Sequence, residues 1–72
     1  MDTLNLQTVA SAGGSVIVDA NNFNAIQLQT IAKAGKAKGA TLIINNASVL
    51  NVFECQAIAS NNPGYVIFNF CQ

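Results

Sequence analysis

The sequence predicts a small α/β domain: a short repeat solenoid of order α-β-α-β-α-β, with a three-stranded parallel sheet and its helices on one face. Three observations carry that prediction. Residues 4–13, LNLQTVASAG, are nearly restated at residues 26–35 as IQLQTIAKAG, and Phe53-Glu54-Cys55-Gln56-Ala57-Ile58-Ala59-Ser60 keeps the same frame of apolar, polar, apolar, Gln, small, Ile/Val and Ala. After each copy comes a glycine-bearing turn and then a short β-branched run: Ser15-Val16-Ile17-Val18-Asp19, Thr41-Leu42-Ile43-Ile44-Asn45 and Tyr65-Val66-Ile67-Phe68-Asn69. The copies have helical spacing, whereas the runs are too short for helices and suit strands.

Each element follows in order. The half-unit 1–14 holds a helix with Leu6, Val9 and Ala10 on one face, stopped near Gly13. The unit 15–40 opens with the first strand. Asn21 or Asn22 is suited to cap its helix, because a short side-chain oxygen accepts from a free amide of the first turn. In that helix Leu28, Ile31, Ala32 and Gly35 fall at i, i+3, i+4 and i+7, one buried stripe, and Gly35 or Gly39 ends it. The unit 41–64 repeats the plan with Ser48 as cap, Cys55, Ile58 and Ala59 on the stripe, and Gly64 past the end. A terminal strand over 65–70 completes a single domain of 72 residues.

Successive strand residues point to opposite faces. Val16, Val18, Leu42, Ile44, Val66, Phe68 and Phe70 are therefore expected to face the helices. Parallel stacking then lines up three ladders on the other face: Ser15, Thr41 and Tyr65; Ile17, Ile43 and Ile67; Asp19, Asn45 and Asn69. Leu4, Ile26 and Phe53 align in the repeat but lie off the helical stripe, either packed between neighbouring helices or forming a second contact surface.

Val16-Ile17-Val18-Asp19-Ala20-Asn21-Asn22-Phe23 resembles the leucine-rich repeat frame L-x-L-x-x-N-x-L, with Val, Val, Asn and Phe in the defined places. In the second copy Leu42, Ile44 and Val49 fit, and Ala47 stands where the frame has asparagine. The resemblance implies a curved parallel sheet whose exposed concave surface binds proteins.

Composition narrows the chemistry. There is no histidine and no arginine, and the charges are Asp2, Asp19 and Glu54 against Lys33, Lys36 and Lys38, for a net charge of zero. Without an imidazole, Ser–His or Cys–His catalysis is excluded, and a Cys/His metal site cannot be built from one chain. No enzyme activity and no cofactor are expected. Asp19 ends a strand, where α/β proteins often place functional groups. Asparagines at the equivalent positions favour an Asx turn or cap instead. Cys55 aligns with Leu6 and Leu28 and reads as a core residue, while Cys71 reads as a free thiol. Lys33, Lys36 and Lys38 suit the last turn of a helix, whose dipole they complement. As the alternative function, a small ligand-binding protein, they would contact an anion or nucleic acid, the latter disfavoured by a neutral chain with few aromatics.

The N-terminus lacks the pattern of a signal peptide and no apolar run spans a membrane, so a cytoplasmic protein with no membrane partner is expected. A domain this small is marginal alone. Its last predicted strand, Tyr65, Val66, Ile67, Phe68, Asn69 and Phe70, carries no charge and no proline, the usual defences of an edge. The expected function is a non-enzymatic, self-associating interaction or assembly module. A closed twofold dimer through the last strand is favoured, head-to-tail filaments and face-to-face contact through the isoleucine ladder are the other geometries, and a different protein partner is also compatible. A piece of a longer repeat array suits the missing C-terminal cap; Met1 and the half-unit at the start speak mildly against it.

Overall fold

The computed structural model describes residues 2–71. An Asp or Asn side chain starts each of its three α-helices. Asp2 accepts from the Asn5 amide at 2.8 Å to open α1, Thr3–Ser11. Asn24 accepts from the Gln27 amide and Gln27 returns the contact to the Asn24 amide, at 2.8 and 2.9 Å, opening α2, Ala25–Gly35. Asn51 and Glu54 form the same reciprocal box at the start of α3, Val52–Ser60. Such caps each contribute about 1 kcal/mol.

These starts lie later than expected. Asn21, Asn22 and Ser48 do not cap α-helices; they sit in single 3₁₀ turns, Ala20–Asn22 and Ala47–Val49, inserted between strand and helix. The reason is local. After β1, Asp19 accepts from the Asn21 amide at 2.8 Å, and after β2, Asn46 takes a left-handed φ of +58°, so the chain turns immediately after each strand and the helix begins after that turn. Past α2 a further 3₁₀ turn, Lys36–Lys38, ends at Gly39, whose φ of +66° is left-handed.

The strands are β1 Val16–Asp19, β2 Leu42–Asn45 and β3 Val66–Phe68, paired in parallel in the order β1-β2-β3. Their register aligns Val16 with Leu42 and Val66, and Ile17 with Ile43 and Ile67. The terminal strand is shorter than the 65–70 expected. Beyond Phe68 the Asn69 carbonyl accepts from the Ala47 amide and its side chain from the Cys71 amide, each at 3.0 Å, which turns the chain off the sheet. Phe70, expected to face the helices, is exposed.

One core joins Leu6, Leu28, Ile31, Ala32 and Ile58 from the helices to Val18, Leu42 and Ile44 from the strands, with Phe23, Leu50, Val66 and Phe68 packed on it. Because all three helices enter the same core as the inward strand residues, they cover one face of the sheet. The opposite face, with Ile17 and Ile67 exposed and Ile43 half-buried, is open. The fold is thus mixed α/β, with three helices on a three-stranded, all-parallel open sheet.

Candidate functional site

The open face is organised by the parallel register. Ile17, Ile43 and Ile67 stand side by side. On one flank Ser15 Oγ accepts from the Thr41 amide at 3.0 Å; on the other, Asn69 Nδ2 donates to Asn45 Oδ1 at 3.1 Å. Asp19 lies in register with Asn45. The Asn46 side chain and the Asn21 amide hold its carboxyl below the usual value of 3.8. A depressed carboxyl stabilises the fold above its unfolded pKa and loses that contribution as pH falls through the folded one. Acid unfolding of Asp19→Asn should accordingly show a shallower loss of stability below pH ~4 than the parent; identical acid limbs would contradict the assignment.

At the far edge, the Leu42 amide donates to the Tyr65 carbonyl at 2.8 Å and the Asn69 amide to the Ile44 carbonyl at 2.9 Å. Alternate residues of a parallel strand serve one neighbour. The backbone groups of Tyr65, Ile67 and Asn69 therefore face β2, and those of Val66 and Phe68 point off the sheet. Around this edge Tyr65, Ile67 and Phe70 are exposed, Val66, Phe68 and Asn69 are half-buried, and the Phe68 and Phe70 rings stack with centroids 6.0 Å apart. Residues 61–71 carry no charged side chain.

The β1 edge differs in shape. Leu6, Ile17, Val18, Asp19, Asn22 and Phe23 line an open depression of about 520 Å³. Ile17 and Val18 are consecutive and point to opposite faces, so a depression touching both opens onto the free edge of β1. The sequence gives no local signal for it, because Leu6 comes from α1 and Phe23 from the loop after β1.

The other candidate residues do not converge. Lys33, Lys36 and Lys38 are exposed on the end of α2 and its following turn, away from the depression's lining. Cys55 is half-buried, and its thiol pKa is raised by desolvation and, less, by the charge of Glu54; a raised pKa makes a poor nucleophile. Cys71 is free and exposed. Leu4, Ile26 and Phe53 do not pack between helices: at 69%, 73% and 75% exposed they form an apolar row on the outer helix surface. Among the described residues no three His, Cys, Asp or Glu side chains cluster to hold a metal ion, and no helix is long and apolar enough to cross a membrane. Comparison with protein-family models, curated proteins and solved structures finds no match to this chain.

Proposed function

We propose that this chain is a non-enzymatic assembly module, a short α/β solenoid of leucine-rich-repeat character that self-associates through the Val66–Phe70 edge. The observation that carries this reading is the state of that edge: outward-pointing backbone groups at Val66 and Phe68, flanked by exposed Tyr65, Ile67 and Phe70, with no charge to discourage pairing. Edge strands without such protection are templates for another chain. The zero net charge and few charged residues leave little long-range repulsion between copies.

Light scattering across a hundredfold range of concentration tests the reading. Apparent mass should rise above the 7.5 kDa of one chain. Ile67→Lys puts a charge on the open face at the edge and leaves the core untouched, so it should return the mass to that of one chain at every concentration. A parent chain that stays at 7.5 kDa throughout, or an Ile67→Lys chain that associates as well as the parent, would contradict the proposal.

A further inference from the structure

Self-association can close a pair or extend a row, and burial at equivalent positions in the three helix–strand pairs distinguishes the two. Val9, Ile31 and Ile58 occupy one repeat position. Val9 in α1 is 39% exposed, whereas Ile31 and Ile58 are 1% and 0% exposed. The opposite helix flank behaves in reverse. Leu6 and Leu28 are buried but Cys55 in α3 is half-exposed; Ala10 and Ala32 are buried but Ala59 is half-exposed. Among strands, Val18 and Ile44 are buried while Phe68 is not. Each of these positions is thus covered where another helix–strand pair lies on its side, and open at the outer face of the first or third pair.

The turns repeat the pattern. A Cβ at Gly13 would meet the Lys38 side chain at 3.5 Å, and one at Gly39 would meet the Tyr65 ring at 3.6 Å. At Gly64 it would meet nothing within 4 Å among the described residues. The third pair therefore lacks at its turn the neighbour that the first two possess.

We propose, resting on the assembly reading above, that the occupant is a second copy added head to tail: the α3/β3 face of one copy receives the α1/β1 face of the next. The junction is the one the chain already makes twice internally. Extending the register sets β3 parallel to β1 of the next copy, Val66 beside its Val16 and Ile67 beside its Ile17, and continues the Asn ladder from Asn69 to its Asp19. Exposed Phe70 then lies against the depression on the β1 edge. A twofold pairing of β3 with itself leaves the Val9 flank and that depression uncovered; head-to-tail addition covers both open faces of every interior copy. A heterologous contact closes into a ring only if its rotation permits; continuing the internal helix–strand step of this short sheet builds an open row.

Two variants, each blocking one face, decide between the geometries. Val9→Arg blocks the α1 face and Ala59→Arg the α3 face; Asn22→Arg at the rim of the depression and exposed Phe70→Ser are the second pair, should either helix variant lose its circular-dichroism helix signal. By light scattering the parent mass should climb with concentration without a plateau. Each variant alone should stay at 7.5 kDa. An equimolar mixture should rise twofold and stop, because it holds one intact junction and two blocked ends. If the parent associates and the α1-face variant associates just as well, head-to-tail addition is overturned while self-association stands. A monomeric parent at every concentration removes the assembly reading itself, and this inference with it.

Discussion

Ile44→Ala should be the most destabilising truncation in this core, lowering stability by about 4–5 kcal/mol. Ile44 is in the central strand, fully buried, and shares the core with Leu28, Ile31 and Ile58, themselves no more than 1% exposed. Truncating a buried isoleucine costs about 2–5 kcal/mol, lost transfer energy plus the cavity that remains. A fully buried site on the central strand, between two flanking strands and under the helix layer, has little freedom to collapse, which argues for the upper part of that range. Total stability at about 0.05–0.15 kcal/mol per residue comes to roughly 4–11 kcal/mol for a chain of this length. The substitution therefore removes most of the stability at the lower end of that scale. Ile44→Val, which keeps the β-branch and loses one methyl, should cost about 1 kcal/mol and stay folded. Urea unfolding followed by circular dichroism measures both. Equal midpoints for the two variants would mean that the centre of the sheet is loosely packed and repacks freely.

The residues in that core were those most legible from sequence. Leu28, Ile31, Ala32 and Gly35 are predicted from spacing alone, and all four are buried, because a helical stripe answers only to a period that one window contains. The isoleucine register was legible for a similar reason: three short runs of the same alternation leave few ways to stack. Helix starts were harder. Asn21, Asn22 and Asn24 are all competent caps, and the choice among them depends on Asp19 taking the Asn21 amide first. The end of β3 was equally obscured, since Asn69 is placed by the repeat as one more ladder residue while its side chain and carbonyl both serve to turn the chain.

The candidate site divides along the same line. The unguarded character of Val66–Phe70 is a property of composition and appears in the sequence. The β1 edge does not, because Leu6 and Phe23 meet there from separate elements, and Val9 differs from Ile31 and Ile58 in exposure because no helix lies beside it on that flank. Only the positions themselves were visible: Ala10, Ala32 and Ala59 align in the frame, and small residues at one helix flank are what close helix approach requires. The exposed row Leu4, Ile26 and Phe53 carries a parallel lesson. Repetition signals a shared environment, and that environment is solvent as readily as core.

Asn62→Asp should convert a structural hydrogen bond into a pH-dependent fault. Asn62 is buried, at 1% exposed, and its Nδ2 donates to the Ala40 carbonyl at 2.9 Å, tying the turn after α3 to the turn before β2. It reaches across Gly35, where an added Cβ would come within 3.1 Å of Ala40 Cβ and 3.2 Å of its carbonyl oxygen. Asn62→Ala leaves that carbonyl without its side-chain donor and should cost about 1–3 kcal/mol at any pH. The aspartate adds a buried negative charge facing a carbonyl oxygen, and an unpaired buried charge costs about 3–5 kcal/mol. Burial and the acceptor both favour the protonated acid, so the folded pKa rises above the unfolded value of about 3.9. The sign follows: the folded state binds more protons, so stability is greatest below that unfolded value and falls as pH rises through the folded pKa. Urea midpoints for Asn62→Asp should therefore drop between pH 4 and neutrality, while those of Asn62→Ala move in parallel with the parent. A flat profile for the aspartate would mean that water reaches the Ala40 carbonyl, and that the two turns are held together by something other than this one amide.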